Sequence, residues 1–217
     1  MIAQVKNVQG ERDCPCLYVY KGKKVVGRMC ESRLKFKPKY EKIVELLLYL
    51  AHKRPNADHY QAVKFLYLAD TAHISKYGRP ITFDNYCALP YGPVASNALN
   101  LLKNPSASVM RKFGIDELPF ETEKLDSNIY IKTPKRAVNH DVFSISDLKV
   151  FDEILSKYGT WTFDQLYQET HSHFAYKTVW KNRGDKKSVN MKYEDMMEEK
   201  STKAAFIEEI ESVSSYM

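Results

Sequence analysis

The spacing of apolar and polar residues changes character along the chain. Residues 17–28, "LYVYKGKKVVGR", alternate around Gly22, which predicts a small β-hairpin, and a basic link, "RLKFKPK", follows. From Lys39 the spacing becomes helical: Ile43, Leu46, Leu47 and Leu50 share a face, and Pro55 closes that helix. A second helix begins at Asp58, where Gln61 completes a capping-box signature, and stops at Gly78 with Pro80 beyond it. Val63, Leu66, Tyr67, Ile74 and Tyr77 form its apolar stripe, and Asp70 and His73 fall on the same stripe. "PITFDNYCAL" reads as a short strand, and Gly92-Pro93 as the opening of a third helix with Val94, Ala98, Leu101 and Leu102 facing inward.

Residues 104–136 are polar and broken, with Ile129–Thr133 as the one strand signal, and are expected to form a variable loop. Ser144 caps a further helix with Leu148, Phe151, Leu155 and Tyr158 as its inward row and Gly159 as its stop. Thr162 with Gln165 caps another, which runs to about His171, and the two are expected to pack as an antiparallel pair. "KNRGDKKSVN" reads as a charged surface loop, and the last helix places Phe206, Ile210 and Val213 on one side. The fold class is therefore mainly α (α+β): a compact helical domain with a small antiparallel β element and an N-terminal β-hairpin appendage. Residues 1–38 form the extension, 39–183 the main domain, and 184–217 a charged loop and helix packed on it.

A length of 217 residues is enough for one well-cored domain. No apolar run reaches the length of about 20 residues needed to cross a bilayer, and the N-terminus has no signal-peptide core, so a cytoplasmic setting and no membrane partner are expected. Cys14, Cys16, Cys30 and Cys87 lack the density of a disulfide scaffold and the spacing of a zinc site, and free thiols are expected. The net charge of +6 permits attraction to nucleic acid through the basic link and the Lys181–Lys187 loop, but the lysines are interspersed with glutamates and nucleic acid is not the expected partner. Charged runs at Lys181–Lys187 and Glu194–Lys200 read as solvated surface.

Asp70 is the residue that most needs explanation, because a bare carboxylate on a core-facing stripe costs several kcal/mol. His73 one turn on, Arg79, or the backbone N–H groups at the start of the Gly92 helix are its candidate partners. One reading makes Asp70 a pin that fastens the loop and third helix to the second helix. The alternative is a hydrolase or metal enzyme in which Asp70, His73, His171 and Tyr91 converge. No catalytic sequence motif supports the alternative, and His171 and His173 point to different sides of a helix. Fifteen tyrosines, many on predicted loops, suit a surface that contacts another protein.

The series Lys64-Phe65-Leu66-Tyr67-Leu68-Ala69-Asp70, His73, Tyr77-Gly78-Arg79-Pro80-Ile81-Thr82 and Tyr91-Gly92-Pro93-Val94 resembles the Panacea (SocA-like) antitoxin domain in order and spacing. "LYQETHSHFAYKTVW", with His171 and Trp180, is similar to the Thr-His…Trp segment near the end of that domain, but has Tyr176-Lys177-Thr178-Val179 where a Pro-Ala pair is more usual. The resemblance spans roughly residues 40–180. It implies a mostly helical antitoxin of a bacterial or phage type II toxin–antitoxin module that neutralises a cognate protein toxin by direct contact, with no catalysis and no cofactor. Its founding relative is instead an adaptor that delivers its toxin to a ClpXP-type protease, which is the second role implied. Asp70, His73, Arg79, Tyr91, Gly92, Pro93, His171 and Trp180 are then expected to form a structural latch or to contact the partner.

Overall fold

The computed structural model describes residues 18–21, 24–27, 32–197 and 203–217. Strands β1 (Tyr18–Lys21) and β2 (Lys24–Gly27) pair antiparallel, Tyr18 opposite Gly27, as the alternation predicts. Cys14, Cys16 and Cys30 lie outside the described residues, and Cys87 is a free thiol. Among the described residues no helix is long and apolar enough to cross a membrane.

Helices α1 (Tyr40–Lys53) and α2 (His59–Tyr77) form the centre of a mainly helical body with small antiparallel sheets. α1 is buried without interruption from Ile43 to Ala51. Glu45 lies within that run, and its carboxylate receives the Arg136 guanidinium and the Asn139 N–H (2.8 Å), tying down the segment that follows β6 (Asn128–Pro134). α2 has the predicted Asp58–Gln61 capping box and left-handed Gly78 stop. It is buried around nearly its whole circumference rather than along one stripe, so apolar residues occur on every side, and of the predicted stripe only Tyr77, beside the exposed Lys76, turns outward.

α5 (Ile145–Tyr158), α6 (Phe163–Ser172), α3 (Ser96–Lys103) and strands β4 (Gly92–Ala95) and β6 all pack on α2. The expected α5–α6 pair is therefore organised around α2, with Tyr158 donating to Glu169 (2.8 Å) between them. The buried row of α5 is Asp147, Val150, Phe151, Ile154 and Tyr158; Leu148 and Leu155 sit half-buried at its edges.

Two larger departures have local causes. Gly92 and Pro93 are not the first turn of a helix: β4 pairs antiparallel with β3 (Tyr86–Leu89), and β7 (Val189–Asn190) covers the other side of β3. Proline is tolerated because β4 is an edge strand. Residues 104–136 are not a loop but α4 (Ala107–Phe113), capped by Ser106 and Gly114, and a hairpin of β5 (Phe120–Leu125) with β6. β5 is exposed beyond Phe120, so it has no apolar alternation to read, while Ile129 and Ile131 of β6 face the core.

α8 (Tyr193–Met196) and α9 (Lys203–Ser214) complete the body. The buried row of α9 is Ile207, Ile210 and Ser214, with Phe206 half-buried and Val213 exposed. A Cβ on Gly78 would lie 3.1 Å from Ile210 and 3.2 Å from Phe206, so the glycine that ends α2 also makes room for α9. Arg33 pairs with Glu211 (2.6 Å) and the Arg33 N–H donates to Glu194 (2.8 Å), joining the chain before α1 to the C-terminal helices.

Candidate functional site

Asp70 is fully buried in the middle of α2, and neither His73 nor Arg79 is its partner. Its Oδ1 accepts the Ile81 N–H (2.8 Å) and Thr82 N–H (2.9 Å), and its Oδ2 accepts the Thr82 hydroxyl (2.5 Å) and Tyr86 phenol (2.8 Å). Four donors and no cation therefore hold one carboxylate. Burial raises its pKa, and the hydrogen bonds partly offset that rise.

The helix-start N–H groups considered for Asp70 go to a different carboxylate. Asp84, also fully buried, accepts from Asn97 N (2.9 Å), Asn97 Nδ2 (2.6 Å), Ala98 N (2.9 Å) and Asn85 N (2.6 Å). It caps α3 from a loop thirteen residues upstream of Asn97, which is why no local cap marks that helix. The two carboxylates share Thr82, whose hydroxyl donates to Asp70 and accepts the Asp84 N–H (3.2 Å). Phe83 between them has φ +56°, a left-handed conformation unusual for a bulky residue, with its ring edge-on to Phe36 at 5.3 Å.

His73 and Arg79 converge on Asp147, the acidic residue in the first turn of α5. Asp147 lies 2.8 Å from Arg79 Nη2, 3.2 Å from His73 Nε2 and 2.6 Å from Lys42 Nζ, and accepts the Ser144 N–H at 3.1 Å. Burial pushes its carboxyl up, but the His73, Lys42 and Ser144 bonds outweigh that and hold it below the ordinary range. His73 Nδ1 donates to the Arg79 carbonyl (2.6 Å), which fixes the ring between α2 and α5.

The remaining candidates gather around the β3–β4 turn. Lys64 lies six residues before Asp70, about 9 Å along the helix. It is completely buried, and its amine donates to the Pro93 carbonyl (2.7 Å). Burial drives its pKa well below the usual lysine value. Gly92, at φ +98°, is required here: a Cβ would stand 2.6 Å from Lys64 Nζ and 3.0 Å from His171. His171 Nδ1 donates to the Tyr167 carbonyl (2.7 Å), and its Nε2 lies 3.3 Å from the Pro90 carbonyl. The Tyr176 phenol donates to the Leu89 carbonyl (2.9 Å).

Tyr91 projects outward, 64% exposed, with its ring 6.2 Å from Phe163. Trp180, on α7 (Phe174–Lys181), stacks on Tyr176 at 5.7 Å. His171 thus belongs to the turn with Lys64, whereas Asp70 serves the Ile81–Tyr86 loop and His73 serves Asp147. The acid/base constellation of Asp70, His73, His171 and Tyr91 does not form. Among the described residues no group of three or more His, Cys, Asp or Glu side chains is placed to hold a metal. Sequence reasoning missed Lys64, Asp84 and Asp147 as organising residues. Asp147 had a readable signal, since it stands three residues after the Ser144 cap.

Asp70→Ala leaves the Ile81 and Thr82 N–H groups and the Thr82 hydroxyl without their acceptor, and is expected to lower stability by about 2–4 kcal/mol. Denaturant unfolding measures this, and a wild-type midpoint would contradict the burial. Asp84 is held up to about 6 from an ordinary 3.8, mainly by burial. Its folded value lies above its unfolded one, so its contribution to stability is full below the unfolded value and is lost as pH rises through about 6. An NMR titration of the Asp84 carboxyl carbon is expected to show its midpoint near pH 6; a midpoint at the ordinary value would contradict it.

Comparison with protein families gives a match to the model described as antitoxin SocA-like, Panacea domain, over residues 63–181. No curated protein and no solved structure matches the chain. The match runs from the first turns of α2 to the end of α7, and so covers all three buried aspartates, the β3–β4 turn and the α6–α7 aromatic residues. Since it takes in more than half of the chain, the chain belongs to the SocA-like antitoxin family characterised by the Panacea domain.

Proposed function

We propose that this chain is the antitoxin of a bacterial or phage type II toxin–antitoxin module, acting in the cytoplasm by binding a cognate protein toxin directly and without catalysis. Family membership over α2 to α7 is the observation that carries the reading. The placement of the polar residues supports it. The carboxylates and histidine suited to acid/base chemistry are engaged in holding the scaffold: Asp70 and Asp84 by backbone N–H groups and hydroxyls, His73 by Asp147 and a carbonyl. A binder benefits from such a frame, because fixing the contact surface beforehand lowers the entropy cost of association.

Co-expression with the product of the neighbouring gene tests the proposal. That product is expected to arrest growth when expressed alone, and this chain to relieve the arrest and co-purify with it while the toxin level is maintained. A harmless neighbour, or a lethal one that this chain neither binds nor relieves, would contradict direct neutralisation. Relief accompanied by disappearance of the toxin would replace it with delivery to a protease.

A further inference from the structure

We infer that the outer side of α6 and α7, together with the β3–β4 turn, is the docking surface for a segment of the partner protein that carries carboxylates beside an apolar side chain. The inference rests on the neutralisation reading and names the face that does the binding.

Two features of this face are otherwise unexplained. The first is a continuous line of rings. Tyr91 and Phe163, 64% and 47% exposed, lie 6.2 Å apart at one end. Phe163 continues to Tyr167 (6.0 Å), which stacks on His171 (3.6 Å), and His171 meets Tyr176 (4.4 Å). Trp180 then stacks on Tyr176 at the other end. The middle of the line is anchored through the His171 and Tyr176 contacts with the carbonyls of the β3–β4 turn, so the exposed rings stand on a rigid base. Large, pre-ordered aromatic side chains are the groups that dominate binding energy at protein interfaces.

The second feature is charge. Residues 177–192 hold six basic side chains, Lys177, Lys181, Arg183, Lys186, Lys187 and Lys192, against Asp185 alone, a local excess close to the whole chain's +6. Lys177, Lys181, Lys186 and Lys187 are exposed, and none of these four is in an ion pair among the described residues. Arg183 is the best prepared of the set. Its guanidinium lies over the Trp180 ring at 4.2 Å and donates through Nη1 to the Trp180 carbonyl (2.9 Å), and among the described residues no carboxylate pairs with it. A guanidinium held flat on an indole with donors to spare is arranged to take a carboxylate through two bonds. The basic end of the ring line therefore fits an acidic partner segment, with Tyr91 and Phe163 receiving its apolar residue.

The test uses the full chain and the toxin that the wild type neutralises. Arg183→Glu, checked for a wild-type melting curve, is expected to weaken the Kd for the toxin at least tenfold. Lys186→Glu with Lys187→Glu should weaken it further, and Arg183→Lys should retain only part of the affinity. Wild-type binding is expected to fall as salt rises. Hydrogen exchange of the unaltered complex should show new protection on α6 and α7, an independent readout that needs no substitution. Unchanged affinity in folded Arg183→Glu, with no new protection on these helices, would overturn the surface while leaving neutralisation standing. A wild-type chain that binds no toxin overturns both. Duplex DNA bound by the wild type and released by Arg183→Glu, with toxin affinity unchanged, assigns the patch to nucleic acid and overturns the inference as well.

Discussion

A carboxylate sealed inside a helix without a countercharge must be met by donors from elsewhere in the chain, and Asp70 imposes that demand on α2. The segment that folds straight back after α2 supplies most of them, from Ile81 and Thr82 just beyond the Gly78 stop. This return fixes the path of the chain as far as β4. Thr82 relays the contact to Asp84, Phe83 adopts a left-handed backbone at a cost of about 1 kcal/mol or more, and Asp84 caps α3 from a distance. Tyr86, which completes the Asp70 set, begins β3, so the sheet that carries Gly92 and Pro93 is positioned by the same carboxyl group.

A parallel arrangement at Asp147 closes the other side. Lys42 from α1, His73 from α2 and Arg79 from the return loop meet on one residue of α5. The two aspartates work by different physics. Asp70 is satisfied by dipoles, and its burial works against its charge; Asp147 lies between the cations of Lys42 and Arg79, which favour its charge. Both are fully buried, and each holds neighbouring elements onto α2.

The ends of α2, α5 and α6 were legible because their caps are local: Asp58 with Gln61, Ser144 with Asp147, Thr162 with Gln165. The start of α3 was not, because its cap is Asp84, and a distant carboxylate leaves no mark at the helix itself. The β5–β6 hairpin escaped for a different reason, since a strand exposed on both faces carries no periodicity. In the candidate site, the need of Asp70 for partners was evident from its place among apolar residues, but their identity was not: three of its four bonds come from Ile81 and Thr82, an apolar residue's backbone and a threonine. Lys64 was hidden in the same way. A lysine within a helix reads as surface, and only Gly92, lacking a Cβ, lets it lie buried against the Pro93 carbonyl. The Lys181–Lys187 run was visible but read as solvated surface, because nothing in the local sequence marks Arg183 as resting on the Trp180 ring.

Native-state hydrogen exchange at the Ile81 and Thr82 amides reports whether Asp70 holds the return loop. These two loop amides are expected to exchange as slowly as those in the buried middle of α2, because both are bound to Asp70. Exchange at the rate of an open surface loop would contradict it.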